Sequence, residues 1–493
     1  MTATLIVERL ESPVPVEGLA GRLRHEPGLV LLQTCASEFP GGRYSFLAVD
    51  PFLRFRSWGS RCEMHREHEV TTLYGNPWSV LDSLLSRYEL LDELDLPFPI
   101  GGCFGYWGYD LKQFVEPRLA SRAVRDLDLP DCHVGFHDSL LVVDHLLGHS
   151  WIVASGLSPD GSRSRARAQA QRDRWRQRLD DAAKREPRPS SHATASHPAT
   201  PSVTSNLDRN EFIRRIRRAQ EYIRAGDIYQ VNLSQRITVS LEDGGWAFYK
   251  RLAARSPAPF AAWIDGGSFQ IASSSPEQFL RLSGSQIQTR PIKGTRPRSD
   301  DPTRDAQLSY ELQSSTKERA ELIMITDLLR NDLGRIAEYG SVQVPDLLRL
   351  ERYSQVQHLV STVEARLRPG VTHFQALASC FPGGSITGAP KIRAMQIIDE
   401  LESVTRGPYT GCVGYLGFNR ESQLSILIRA GTCLEGLCHF HVGAGIVADS
   451  IPEEEYEETW AKAGGLLAAL NHREMLPALR EIPSNAMDPG HQD

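Results

Sequence analysis

This 493-residue sequence carries no redox or zinc framework. Its eight cysteines (Cys35, Cys62, Cys103, Cys132, Cys380, Cys412, Cys433 and Cys438) form no C-x-x-C pair, and no histidine pair completes a zinc pattern. They read as scattered, reduced, mostly buried thiols of a cytoplasmic protein. No stretch reaches the 18 apolar residues of a membrane span, so no membrane partner is expected. Basic charge is not in excess: 55 basic against 61 acidic residues leave a formal charge of -6, which argues against a nucleic-acid partner. The arginine run within 162–177 is local, and acidic residues follow it. Met1-Thr2-Ala3-Thr4-Leu5 lacks the basic-then-apolar wording of a signal peptide. No internal repeat is visible.

What is present is ordinary globular composition, 41% hydrophobic and 24% charged, in a chain long enough to build a large core without staples. Residues 1–157 read as strand-rich, with Leu29–Leu32 and Arg43–Val49 as strands and 140–154 as a hairpin. Residues 158–204 read as a polar helix followed by a flexible linker, because 187–204 hold almost no large apolar residues to offset ordering entropy. Residues 205–470 alternate strands with helices at 304–333, 371–380, 389–403 and 452–470, after a helix that begins at Asp208 with Glu211 at its third position. The segment 471–493 reads as a tail, disordered at its end. The fold class expected is α+β with large sheets.

Two helical segments carry carboxylates three residues apart, Glu318 with Glu321 and Glu455 with Glu458, and that spacing places each pair on one helix face. If the helices face each other, the four acids make an oxygen-rich site suited to Mg²⁺. Lys462 shares a face with Glu458. An acidic first turn, with Ser450 as cap, is equally what a helix dipole favours. Phe381-Pro382-Gly383-Gly384-Ser385-Ile386-Thr387-Gly388 is a glycine-rich loop before a helix, and its amides could cradle an anion. Val442-Gly443-Ala444-Gly445 reads as a second glycine turn, and Arg429 lies in a strand. Together they could receive a ligand with two carboxylates, for which the arginine fork is well shaped. Glu277 and Lys293 stand sixteen residues apart. At neighbouring strand ends they would make a general acid/base and a nucleophile, although spacing alone does not single them out.

The order and wording of these segments resemble the chorismate-utilising enzymes, a family that includes anthranilate synthases, aminodeoxychorismate synthases and isochorismate and salicylate synthases. The resemblance covers about 205–470 and includes Ala225-Gly226-Asp227-Ile228-Tyr229-Gln230-Val231-Asn232, Ser275-Pro276-Glu277, Thr326–Gly334, Val356-Gln357-His358-Leu359, Gly384–Lys391 and Glu455–Lys462. It extends to Gly42–Phe46 and Gly101–Asp110. It implies an anthranilate synthase component I-like fold, with mixed or antiparallel sheets in a sandwich flanked by helices. It implies Mg²⁺ held among Glu318, Glu321, Glu455 and Glu458, and chorismate as substrate. Tyr409, Arg429, Gly443, Gly445 and Lys462 would then surround the substrate carboxylates, and Thr295, His358 and Thr387 would line the ring.

Within the family, the isochorismate and salicylate branches resemble one another in a lysine base where this chain has Gln230, and an amide takes no proton from water. Anthranilate synthases resemble Pro-Ile-Ala-Gly-Thr where this chain reads Pro291-Ile292-Lys293-Gly294-Thr295, the wording of the branch that aminates chorismate at C4. That branch implies a covalent intermediate on Lys293, with Glu277 as acid. Ammonia is expected from a separate glutamine amidotransferase subunit, since the chain has no glutaminase-like Cys–His–Glu segment. The N-terminal region resembles the tryptophan-binding part of the family. Leu31-Leu32-Gln33-Thr34 departs from the Leu-Leu-Glu-Ser of feedback-inhibited members, so a bound tryptophan without inhibition is the expectation there.

Overall fold

The computed structural model describes residues 4–35, 38, 41–66, 69–91, 95–119, 121–184, 203–353 and 356–472. Most of the expected linker and nearly all of the expected tail lie outside the described residues. The polar helix ahead of the linker runs Arg165–Lys184 and buries Trp175 beneath its arginines. No helix among the described residues is long and apolar enough to cross a membrane.

Two twelve-stranded sheets form the body. Every ladder in them is antiparallel, so of the mixed and antiparallel forms expected it is the antiparallel one that occurs. In the first sheet the early strands Ile6–Arg9, Tyr44–Ala48 and Val30–Gln33 continue directly into the late strands Phe260–Asp265, Phe269–Ser275, Leu437–Ile446 and Gln230–Ser240. In the second sheet Gly102–Trp107 pairs with Cys412–Gly417, again joining early and late sequence. Both sheets thus draw strands from each side of the linker.

Apolar side chains at alternate strand positions close the space between the sheets, as the two-residue period of a pleated strand requires. Phe46 and Phe269 of one sheet meet Tyr415 and Tyr106 of the other, with ring centroids 4.9 and 6.0 Å apart in edge-on arrangements. Helices cover the outer faces, their apolar stripes sealing a second and larger core. The helix Arg209–Arg224 shows why the local sequence suffices. The Asp208 carboxylate caps it by accepting from the Glu211 amide at 2.8 Å, and Phe212, Ile213, Ile216 and Ala219 form its buried stripe.

Several local expectations are corrected. The helix expected over 304–333 is two, Pro302–Ser314 and Thr316–Gly334, because Ser315 is extended and caps the second one. Gly443 and Gly445 lie not in a turn but inside the strand Leu437–Ile446. A Cβ on Gly443 would stand 2.7 Å from the Leu233 carbonyl oxygen, so close approach is what glycine serves there. Arg429 is not in a strand. It bridges Glu421–Ile426 and Ala430–Leu434 with a left-handed φ of 49°. Ser450 does not cap the last helix, Pro452–Ala469, and its hydroxyl donates instead to the Glu455 carboxylate at 2.7 Å.

Candidate active site

Five elements meet at one cleft. The strand Ile292–Pro297 contributes Lys293 and Thr295, and its neighbour Val356–Arg366 contributes His358. Glu318 and Glu321 project from the helix Thr316–Gly334, and Glu455, Glu458 and Lys462 from Pro452–Ala469. Gln230 begins the long strand Gln230–Ser240, against which Gly445 is laid.

Lys293 Nζ stands 3.4 Å from a Glu321 carboxylate oxygen. A Cβ on Gly445 would lie 3.9 Å from the same nitrogen and would collide with the Gln230 amide nitrogen, so glycine leaves the room in which Lys293 and Gln230 converge. Gln230 is buried, and its Oε1 has no hydrogen-bond partner. An orphan acceptor at such depth marks a place built to receive a donor from elsewhere.

Glu277 is buried, and desolvation pushes its carboxyl up to about 7, although Ser385 and the Lys293 charge pull the other way. At neutral pH it is divided between a proton donor and a proton acceptor. The sixteen-residue gap between Glu277 and Lys293 is closed by the hairpin and the strand order of the second sheet. His358 accepts from or donates to Thr295 Oγ1 at 2.9 Å. Burial first, then the Arg429 charge, holds its imidazole down to about 4, so it is neutral. Arg429 itself is water-accessible, yet it is deep enough among protein atoms that desolvation alone lowers its pKa and no carboxylate offsets this. An exposed guanidinium paired with no carboxylate among the described residues can receive an anion.

The four glutamates share one electrostatic neighbourhood. Lys317 is drawn down by burial and then raised above its ordinary value by Glu455, Glu321, Glu458 and Glu318 acting together. Its Nζ lies 3.7 Å from Glu455. Glu318 is pushed up by burial and then by Glu321, and Glu455 by burial with a further rise from Glu458. Glu458 is raised by burial but pulled lower overall by Lys462, 2.6 Å away, together with Lys317 and Lys293. Among the described residues no three acids, imidazoles or thiols stand close enough to form a ready-made metal cage. The donors are nevertheless of the hard-oxygen kind that a divalent cation takes: two carboxylate pairs on two helices linked through Lys317, with Glu318 and Glu455 resisting ionisation and lysines as counter-charges.

The remaining residues are held by contacts of their own. Lys462 Nζ also donates to the Gly443 carbonyl at 2.9 Å. Tyr409 stacks on His441 with centroids 5.1 Å apart, and its hydroxyl lies 3.1 Å from where a Gly443 Cβ would be. Thr387 is fully buried, and its hydroxyl is turned into its own tight turn, donating toward Gly383 and Gly384 carbonyls at 3.0 and 3.2 Å. The glycine-rich loop is secured by a residue not singled out from sequence. Lys391 donates to Asp332, Cys380 O and Pro382 O at 2.5, 3.0 and 2.9 Å. Ser385, hydrogen-bonded to Glu277, carries no signal of its own in the sequence beyond sharing the glycine-rich segment with Thr387.

Away from the cleft, Gln33, Tyr44, Pro259 and Phe260 line a cavity of about 30 Å³ between the sheets. There the strand end at Gln33 and Thr34 meets Pro259, Thr34 Oγ1 donating to the Pro259 carbonyl at 2.9 Å.

A family model described as chorismate binding enzyme matches residues 33–468. Anthranilate synthase component 1 of Acetivibrio thermocellus is 37% identical over 464 residues, 94% of this chain and 93% of the relative. Aminodeoxychorismate synthase component 1 of Escherichia coli (strain K12) is 38% identical over 464 residues, 91% of this chain and 94% of the relative. The crystal structure of anthranilate synthase component I from Streptococcus pneumoniae TIGR4 superposes with a TM-score of 0.75 at 30% identity, over 86% of this chain and 92% of that one.

Proposed function

This chain belongs to the chorismate-binding enzyme family, and we propose that within it the protein aminates chorismate at C4, giving 4-amino-4-deoxychorismate on the cytoplasmic route to para-aminobenzoate and folate. Relatives of both amino-group-transferring kinds match it about equally well, so overall likeness does not choose between C2 and C4. The observation that carries the choice is Lys293, whose amine projects into the cleft beside Glu321, Gln230 and Glu277.

Direct attack of ammonia at C2 needs no protein nucleophile. Placing nitrogen at C4 with retention needs two displacements, and a positioned amine supplies the first. Lys293 Nζ gives up its ammonium proton to solvent and bonds to C2, the ring double bonds shift, and the C4–oxygen bond breaks. Glu277 gives its proton to the departing hydroxyl, which leaves as water. Ammonia then bonds to C4, the C2–lysine bond breaks, and the Glu277 carboxylate takes the surplus proton back. Arg429 would hold a substrate carboxylate, with Tyr409, Gly443, Gly445 and Lys462 around it. Neutral His358, held by Thr295, would face the ring without adding a like charge to Arg429. Glu318, Glu321, Glu455 and Glu458 would hold Mg²⁺, which when bound supplies Lewis-acid and template character at the substrate's ring carboxylate.

Ammonia would come from a separate glutaminase subunit. The cavity at Gln33 and Tyr44 is where we place the tryptophan site. At about 30 Å³ it must widen to admit an indole, and added tryptophan is expected to leave the rate unchanged. The deciding experiment combines chorismate, Mg²⁺ and ammonium salt with the purified chain. The expected product is 4-amino-4-deoxychorismate, and fluorescent anthranilate would overturn the reading. Without ammonia, intact mass spectrometry is expected to show a chorismate-minus-water adduct on Lys293.

A further inference from the structure

A single buried side chain ties together three of the segments that would line the substrate. Arg406 is buried, and each of its five N–H donors is used. Nε and Nη2 donate to the two Glu402 oxygens at 2.8 and 2.7 Å. Nη2 also reaches the Asn232 carbonyl at 2.7 Å, and Nη1 donates to the Ile386 carbonyl and to Thr410 Oγ1, both at 3.1 Å. Ile386 immediately precedes Thr387, Thr410 immediately follows Tyr409, and Asn232 lies on the same strand face as Gln230. Glu402 extends the network by accepting from the Ser234 amide and hydroxyl at 2.8 and 2.9 Å.

The guanidinium stands 4.6 Å from the Tyr109 ring and 5.7 Å from that of Tyr409. The N-terminal half braces the same loop, since the Tyr109 amide donates to Gly407 O and the Gly407 amide to Asp110 Oδ2, each at 2.8 Å. None of the partners of Arg406 belongs to the two helices that carry the four glutamates.

We propose that Arg406, held by Glu402, is a positioning residue for the substrate: it fixes the spacing of the strand bearing Gln230, the turn bearing Thr387 and the loop bearing Tyr409. The inference rests on the chorismate reading above. Stability alone does not explain the arrangement, because a buried ion pair contributes little that a well-packed apolar pair would not. What apolar side chains cannot reproduce is a planar fork bonded at once to three separate segments.

The test is steady-state kinetics of Arg406→Lys and of the charge-free double variant Glu402→Gln/Arg406→Met, with thermal midpoints measured alongside. The glutamine introduced in place of Glu402 keeps an acceptor for Ser234, so the double variant removes the fork without stranding a charge. The expected result is a chorismate KM raised about ten- to a hundredfold, the scale on which small misplacements act, with a smaller fall in kcat. Half-saturation by Mg²⁺ should stay within about twofold, because none of the fork's own hydrogen bonds reaches the helices bearing the four glutamates. Wild-type chorismate KM in a folded double variant overturns the proposal. So does a joint rise of the chorismate and Mg²⁺ constants with a lowered midpoint, which is the mark of general loosening. If the double variant does not fold, Arg406→Lys carries the same readout, and wild-type kinetics there overturns the proposal equally. Failure of the chorismate reading shows separately, as wild-type protein that consumes no chorismate.

Discussion

Along one wall of the cleft, Glu318, Glu321, Glu455 and Glu458 are held apart from one another and balanced by Lys293, Lys317 and Lys462. Along the other, Arg406 and Glu402 leave no donor unused and bind three backbone segments into one piece. The first wall is electrostatically unfinished, with burial and mutual repulsion pushing Glu318 and Glu455 up. In the second, every donor of the fork is already satisfied. The difference separates two ways of building a site. Where a cation is to be recruited, like charges are left in tension. Where a substrate is to be shaped, the scaffold is satisfied in advance, so that no reorganisation is needed at binding.

The sharpest way to break this comparison is Lys293→Ala, which removes a nucleophile from the charged wall and leaves the other untouched. C4 amination is expected to fall roughly a thousandfold or more, as when one member of a catalytic unit is removed, with chorismate dissociation little changed. Product formation measured beside a binding isotherm checks both, and retained amination would sink the nucleophile assignment.

Next in size is Glu277→Gln, expected to slow adduct formation about 10²- to 10⁴-fold. The wild-type rate of that step, followed without ammonia, should decline as pH rises past about 7, because the protonated carboxyl is the donor. Stability falls with rising pH in the same sense, so substitution moves activity and stability in opposite directions above that pH. A carboxyl raised in the folded state contributes stability that is present at low pH and lost as pH climbs through about 7. The glutamine variant should therefore melt higher than wild type at pH 8, and an equal or lower midpoint counts against a buried, ionising Glu277.

Glu318→Gln sharpens the contrast at intermediate size. Loss of one donor should raise the Mg²⁺ needed for half-activity at least about ten- to a hundredfold, the range seen when supporting groups of metal sites are removed. Without Mg²⁺ the variant should be the more heat-stable protein at neutral pH, because the wild-type Glu318 carboxyl is raised in the folded state and ionising it costs stability as pH rises. Calorimetry with and without Mg²⁺ reads both effects, and an unchanged metal requirement would remove Glu318 from the site. The smallest effect is expected from Thr295→Val, which takes the 2.9 Å partner from His358. One neutral hydrogen bond supports a change in chorismate KM of less than about tenfold, and a larger loss would make His358 orientation a dominant factor.

The residues legible in the sequence were those whose partners are near in the chain. The two glutamate pairs were readable because helical spacing alone places three-apart residues on one face, and the Asp208 cap because its acceptor and donor are three residues apart. The meeting of Lys293 with Glu277 was not readable from spacing, since it depends on strand order in the second sheet, and only a resemblance joined them. Gly443 and Gly445 suggested a turn because glycine in a turn and glycine beneath a close backbone look alike in sequence. The distinguishing contacts, the Leu233 carbonyl and the Gln230 amide, lie more than 200 residues away. Arg406 escaped notice for a related reason. Apart from Glu402 and Thr410 its acceptors are backbone carbonyls, which no side-chain pattern advertises.

The interleaving of early and late strands also bears on how the protein is made. Val30–Gln33 finds one of its neighbours only in Phe260–Asp265, and Gly102–Trp107 finds one of its own only in Cys412–Gly417. The first half leaves the ribosome with open sheet edges that nothing yet synthesised can cover. Pairings this distant in sequence also form slowly. The same interlocking would let separately expressed pieces ending at residue 184 and beginning at residue 203 reassemble on mixing, each supplying the edges the other lacks.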